Sequence, residues 1–223
     1  MKKILVVGNS ITAEILCAYL KYDSRYEVVG LTVDDEFVDQ VCFDGYQILG
    51  FSVVSKVFHV DTHRVIMAVG YSDLNRTRVA MFNRLKVMGY GMETYIHPDA
   101  RVYTNKPLGE GSVVLPGAII EPYARVGANT MVWSNVTLAH HSSVADNCWL
   151  AAGAVVSGQA KVLSNTFLGV NSTIVNAVTV EEFNVIGAGA MISRDTKAHS
   201  VHLARSAEPF RYSSEDYVKH FGI

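Results

Sequence analysis

From Val114 to Ile192 every sixth residue is a branched aliphatic: Val114, Ile120, Val126, Val132, Leu138, Val144, Leu150, Val156, Val162, Leu168, Ile174, Val180, Ile186 and Ile192. Fourteen matches in fourteen steps make this an internal repeat. Four residues after each of these positions the side chain is usually small, as at Ala118, Thr130, Ser142, Cys148, Ala154 and Ala160, with Val136, Val178 and Asn184 as exceptions. A period of six fits neither the helical period of about 3.6 nor the strand period of about 2. It suits a short strand followed by a tight corner. Three such strands close a triangular coil of about eighteen residues, and residues eighteen apart then stack at about 4.8 Å.

The corners can therefore be read as columns. One is Gly117, Asn135, Gly153, Asn171 and Gly189; a second is Asn129, Asn147, Asn165 and Phe183. Gly and Asn enter left-handed backbone conformations cheaply, so these columns predict repeated tight turns. The third column, Tyr123, His141, Gln159, Ala177 and Asp195, breaks that rule. A corner that abandons turn-forming residues is expected to have another task.

The first hundred residues follow a different pattern. Lys3-Ile4-Leu5-Val6-Val7 reads as a buried strand that runs into Gly8-Asn9-Ser10, an amphipathic helix to about Lys21, and a second strand from Tyr26 to Val33 that ends at Asp34-Asp35. After an irregular stretch come a third strand from Arg64 to Val69, a helix from about Asp73 to Met88 capped by Ser72, and a fourth strand from Met92 to Ile96. Strands alternating with helices predict a parallel sheet whose ligands sit at the carboxyl ends of its strands. Those ends carry Gly8-Asn9-Ser10, Asp34-Asp35 and Gly70-Tyr71. The first is not a G-x-G-x-x-G fingerprint, which disfavours bound NAD. Gly8 as a mere tight turn and Asp34-Asp35 as solvated carboxylates remain open readings beside the ligand-binding one.

Composition narrows the class. With 223 residues, 49% hydrophobic and 18% charged, the chain is an ordinary globular protein. A net charge of -2 supplies no basic field for nucleic acid. No apolar run is long enough to span a membrane, and Met1-Lys2-Lys3 leads straight into a strand without a cleavage signal, so a cytoplasmic location is expected. Cys17, Cys42 and Cys148 are odd in number and scattered, as in a reducing compartment. No zinc-ligand cluster or nucleophilic serine motif is visible, and no metal is expected.

Val6-Val7-Gly8-Asn9-Ser10, Val33-Asp34-Asp35, Ala68-Val69-Gly70 with Asn75-Arg76, Tyr95-Ile96-His97-Pro98 and the hexapeptide run with His140 together resemble the NeuD-type sugar acyltransferases. Within that group the chain looks most like the nucleotide-amino-sugar N-acetyltransferases of bacillosamine-type pathways. The resemblance implies an α/β, Rossmann-like nucleotide-sugar-binding domain over residues 1–97, a left-handed parallel β-helix over 98–200, and a tail over 201–223 with a short capping helix. It further implies a homotrimer with active sites between subunits, acetyl-CoA as co-substrate lying along the β-helix, and a UDP- or dTDP-linked amino-deoxysugar as acceptor. Gly8, Asn9, Ser10, Asp34, Asp35, Gly70, Tyr71, His141 and Trp133 are the expected substrate contacts.

The resemblance makes His140 the general base and Gly158, one coil further along the same corner, the oxyanion donor. The chemistry fits, since acyl transfer from a thioester needs a proton acceptor near neutral pH and a fixed N–H for the oxyanion. Trp133, Ala151, Gly169 and Gly187 form a second column. Ala151, Gly169, Gly187 and Gly158 are the expected cofactor contacts, with the small side chains either forming a track for a pantetheine arm or being small for packing alone. His140 and His141, being adjacent on an extended segment, are expected to point apart and share no metal ion. The residue after the base is usually acidic and here is His141, while Trp133 and Trp149 stand where relatives have Asn and His. O-acetylation of a free sugar such as sialic acid, and a non-catalytic sugar-nucleotide-binding role, are the alternatives.

Overall fold

The computed structural model describes residues 1–38, 42, 43 and 45–222. Its N-terminal sheet is built on β1 (Lys2–Val7), whose residues Ile4 to Val7 are wholly buried, as expected of a strand covered on both faces. After α1 (Ile11–Lys21) come β2 (Tyr26–Val33), β3 (Cys42–Phe43), β4 (Tyr46–Gly50), α2 (Val54–Val57), β5 (His63–Met67), α3 (Arg76–Val87) and β6 (Gly91–Met92). The strands lie in the order β3-β4-β2-β1-β5-β6, all parallel except β3. The order reverses at β1, so the ends of β1 and β5, at Gly8 and Ala68 to Tyr71, meet where an open parallel sheet forms its crevice. β4 and α2 lie in the stretch read from sequence as irregular. The Cys42 side chain lies outside the described residues.

Two sequence expectations change here. The strand expected from Met92 to Ile96 is two strands in two sheets: Gly91–Met92 pairs with β5, and Tyr95–Ile96 pairs with Val113–Val114 in the solenoid. The break falls at Glu93, a buried carboxylate held by Lys2 Nζ at 2.7 Å, Arg64 Nε at 2.6 Å and the Tyr26 hydroxyl at 3.0 Å. A buried charge tolerates no strand continuation that would strip it of partners. The third helix starts at Arg76, not near Asp73. Asp73, Leu74 and Asn75 form a left-handed turn with φ of 49°, 50° and 64°, and Ser72 caps nothing. Tertiary contacts set that start. Arg78 is fully buried and donates to the carbonyls of Met67, Val69 and Asn129, which binds α3 to both β5 and the solenoid.

The solenoid consists of three parallel sheets of two-residue strands, and the arrangement fits the left-handed β-helix. Strands eighteen residues apart pair in register, for example Val113 with Met131, Met131 with Trp149, and Trp149 with Phe167. The aliphatic positions of the repeat point inward and are buried as one core. The first face carries Tyr95, Val113, Met131, Trp149, Phe167, Val185 and Val201; the second carries Arg101, Ile119, Thr137, Val155, Thr173 and Met191; the third carries Arg125, Ser143, Lys161 and Thr179. The N-terminal domain sits on the first face. Leu16, Leu20, Ile4 and Val6 share a core there with Val113, Met131 and Trp149.

The strands of the solenoid run from Tyr95 to His202. Tyr95–Ile96 pairs with Val113–Val114 at one end, and Val201–His202 pairs with Val185–Ile186 at the other. The tail ends in α4 (Ser214–Phe221), started as expected by Ser213, whose hydroxyl accepts the Asp216 N–H at 3.1 Å. This helix does not cap the solenoid. Its residues are all exposed, and its aromatic contacts are internal: Phe210 with Tyr217, Tyr212 with His220, and Tyr217 with Phe221.

Candidate active site

His140 and His141 occupy the edge between the second and third faces, opposite the face that bears the N-terminal domain. The column that broke the Gly/Asn rule keeps the same backbone all the same. Tyr123, His141, Gln159 and Ala177 have φ of 66°, 60°, 63° and 60°. Because His141 is left-handed and not extended, the two imidazoles converge, contrary to the sequence expectation. Their Nδ1 atoms are 3.3 Å apart. The His141 ring lies on Tyr123, with centroids 4.7 Å apart and planes 30° apart. No third ligand joins them, since among the described residues no group of three or more His, Cys, Asp or Glu is placed to hold a metal.

The Nδ1 pair occupies the position where the resemblance led one to expect a carboxylate beside His140. Two facing ring nitrogens can bond only if one bears a proton and the other a lone pair. With the proton on His140 Nδ1 and a neutral His141 accepting, His140 Nε2 is left with its lone pair, which is the tautomer a base needs. Glu121 does not take over the ring contact. Its Oε2 accepts the backbone N–H of His140 at 2.7 Å, which fixes the chain and not the imidazole.

Gly158 lies directly beneath His140. A Cβ at that position would stand 2.6 Å from the His140 Cε1 and 2.8 Å from Nε2, so only glycine admits the ring in this pose. Among the described residues, the N–H of Gly158 has no acceptor. The Nε2 of His140 and an unengaged N–H are thus brought together by the one-coil spacing that the sequence displayed.

The expected substrate contacts in the N-terminal domain divide. Gly8, at φ 119°, has a structural reason of its own, because a Cβ there would come within 3.1 Å of the Ala68 carbonyl. Asn9 Nδ2 donates to the Phe37 carbonyl at 3.3 Å, and Ser10 starts α1 with its side chain unused for capping. Asp34 is paired with Arg84, and Asp35 accepts from Ser52 Oγ at 2.7 Å and Ser52 N at 3.2 Å. Those Ser52 donors hold the Asp35 carboxyl below its ordinary pKa. Beside Gly70 the space is open, since a Cβ there would meet nothing within 4 Å. Tyr71 leans over the first face of the solenoid, its ring 5.2 Å from that of Trp149 and 4.7 Å from that of Phe167.

The second expected column lies on the first face and not on the histidine edge. Gly169 has a packing reason there, because a Cβ would fall 2.7 Å from the Gly187 carbonyl carbon, and Gly187 is closed off by Leu203. Ala151 and Trp133 line a cavity beneath Tyr71. The sequence reading did not anticipate that cavity. Its signal was the residue just before each aliphatic position on every third step: Val113, Met131, Trp149, Phe167 and Val185 form an apolar outward column, unlike Arg125, Ser143, Lys161 and Thr179.

By sequence the chain matches no family model and no curated protein. Solved structures do match. The acetyltransferase domain of PglB from Neisseria gonorrhoeae, in complex with acetyl coenzyme A, has 22% identity and a TM-score of 0.79 over 94% of this chain and 99% of that one. PerB from Caulobacter crescentus, in complex with CoA and GDP-perosamine, has 21% identity and a TM-score of 0.80 over 91% and 94%. WeeI from Acinetobacter baumannii has 16% identity and a TM-score of 0.78 over 89% and 94%. This chain shares their fold. The likeness covers 89% to 94% of this chain. Among the described residues no helix is long and apolar enough to cross a membrane.

Proposed function

We propose that the protein is an acetyl-CoA-dependent N-acetyltransferase acting on the amino group of a nucleotide-linked amino-deoxysugar. The observation that carries this reading is the His140 imidazole lying over Gly158 with its Nε2 edge toward a peptide whose N–H is unengaged. In the proposed reaction the sugar amine attacks the thioester carbonyl and His140 Nε2 takes the amine proton. The oxyanion accepts the Gly158 N–H, and collapse expels the CoA thiolate, which regains a proton from the imidazolium. Before the proton is taken, His141 Nδ1 holds His140 in its working tautomer, and afterwards it accepts from the imidazolium Nδ1–H. Acyl transfer is direct, with no enzyme-bound intermediate.

The α/β domain is read as Rossmann-like, with the nucleotide at the ends of β1 and β5. In a single chain that crevice and the His140 edge are on opposite sides of the prism, which supports the homotrimer that the resemblance implies, with one protomer's edge meeting its neighbour's domain. The outward column Ile119, Thr137, Val155, Thr173 and Met191 is the mixed apolar surface suited to such a contact. Neighbours of the same fold bind acetyl coenzyme A or GDP-perosamine, which adds GDP to the UDP and dTDP expected from the resemblance. A cytoplasmic site of action goes with these substrates.

Release of CoA thiol from acetyl-CoA, measured across UDP-, dTDP- and GDP-linked 3-amino and 4-amino deoxysugars beside His140→Ala, tests the reading. Turnover on one member that depends on His140 supports it; absence of turnover on all of them, with nucleotide binding intact, leaves a non-catalytic binder. The alternative is O-acetylation of a free sugar. Asp34 and Asp35 meet Arg84 and Ser52 through Oδ1, which leaves each Oδ2 able to accept from a ribose hydroxyl and keeps the nucleotide reading ahead. A nucleotide titration without binding would favour that alternative.

A further inference from the structure

Among the described residues, α4 is the one α-helix that buries none of its side chains. Its eight residues fall short of the roughly 12–15 that an isolated helix needs in water, so packing on another surface has to complete it. Within the chain its rings meet only nearby residues of the tail: Phe210 lies 5.7 Å from Tyr217, and Tyr212 lies 5.1 Å from His220, between centroids. Tyr217, Val218 and Phe221 fall on one stripe at helical spacing, and Val218 and Phe221 remain 48% and 55% exposed. Charges flank the stripe in a fixed order. Glu215 and Lys219 stand four apart along one side of it, and Asp216 and His220 stand four apart along the other. Among the described residues neither Glu215 nor Lys219 forms an ion pair. Ser213 donates to Asp216 Oδ2 at 2.8 Å, which leaves Oδ1 able to accept.

We propose that α4 pairs with the α4 of a second copy of this chain, antiparallel about a two-fold axis, stripe against stripe. Charge complementarity selects that partner. A two-fold antiparallel pair lays each flank against the same flank of the other copy, reversed in direction. Glu215 of one copy then meets Lys219 of the other, twice over, and each Asp216 meets a ring N–H of His220. A parallel pair would set Glu215 against Asp216, acid against acid. The same order of charge suits the helix's own dipole, a cause that gives no preference between copies, so mixed variants separate the two. In the homotrimer proposed above, the three tails leave from the same end of their coils, and three such pairs join two trimers end to end. The ends so joined are the open ones. Val201–His202 and Met191–Ile192 are edge strands of their sheets, and Met191, Val201 and Leu203 are exposed there. Unpaired strand edges invite uncontrolled pairing, and joining the ends puts them out of reach of other chains.

The test is sedimentation velocity of the full chain across a concentration series at low salt, beside three variants. The wild type is expected to form a species of twice the mass of Phe221→Asp, at an unchanged Tm. Glu215→Lys and Lys219→Glu, each alone, should weaken the doubling about tenfold, because each turns two attractive contacts into repulsive ones. An equal mixture of those two variants should recover the wild-type mass, since one then carries only positive and the other only negative charge on that flank. A wild type with the mass of Phe221→Asp at every concentration overturns the proposal. A mixture no heavier than its parts also overturns it and leaves the charges to the helix dipole. If Phe221→Asp lowers Tm without changing the mass, the stripe belongs against its own solenoid and the proposal falls. It falls equally if the masses agree and the wild type, but not Phe221→Asp, sediments with anionic phospholipid vesicles, which gives the stripe to a membrane surface.

Discussion

Two edges of the same prism have nearly the same backbone and opposite chemistry. Along the first, Gly117, Asn135, Gly153, Asn171 and Gly189 have φ between 54° and 74°; along the second, Tyr123, His141, Gln159 and Ala177 have φ between 60° and 66°. In both, the turn residue's N–H donates to the coil below, as in Gly153 to Ser134 at 3.0 Å and Gln159 to His140 at 3.0 Å. The turn is therefore set by coil closure and not by the residue that occupies it. For a residue without help from its side chain that conformation costs about 1–2 kcal/mol. The first edge avoids much of the cost with Gly and Asn. The second accepts it and gains a stacked Tyr123–His141 pair, which presents His141 Nδ1 to His140, with His140 seated over Gly158.

If that contrast is right, matched substitutions at the two edges must have opposite consequences. The largest effect is expected at His140→Ala, where kcat should fall by about 10²–10⁴ with little change in Tm. Asn135→Ala at the other edge should cost about 1 kcal/mol of stability and leave kcat alone. Gly158→Ala comes next. Its Cβ displaces the imidazole, and since a shift of about 1 Å in a reacting group costs about 100-fold, kcat should drop by that order while circular dichroism stays native.

Alkaline pH tests the interior that both edges share. Burial pushes the Cys148 thiol up to about 12 and, with Glu93 nearby, the Tyr26 phenol up to about 12. The folded state keeps protons that the unfolded chain releases from about pH 9, so stability falls as pH rises. From Cys148 alone the loss is about 2 kcal/mol by about pH 10.5, and denaturant melts of Cys148→Ala should show a flatter decline. The same thiol should resist maleimide at pH 8 until the protein unfolds. The smallest effects sharpen the backbone comparison most cleanly. Ala177→Gly should raise Tm by about 2–4 °C, and Gly189→Ala, which meets open space but has φ 67°, should lower it by a similar amount.

The sequence by itself determined what depends on a fixed spacing. The coil, its three faces, the corner columns and the stacking of His140 on Gly158 all follow from a period of six closing at eighteen, because each rung packs only on the next. The alternation of strands and helices in the first hundred residues was legible for the same local reason. What lay beyond reach depends on which distant surfaces meet. The left-handed φ that turns His141 onto Tyr123, the capture of Asp34 by Arg84 and of Asp35 by Ser52, and the division of one apparent strand at Glu93 are outcomes of packing between remote segments. So is the cavity of Tyr71, Trp133, Trp149 and Phe167, whose members are separated by up to 96 residues and join only because the N-terminal domain docks on the first face. The six-residue period does not record that choice. It is made by the apolar outward column from Val113 to Phe167, which is buried against α1 in preference to the charged and hydroxyl-bearing third face.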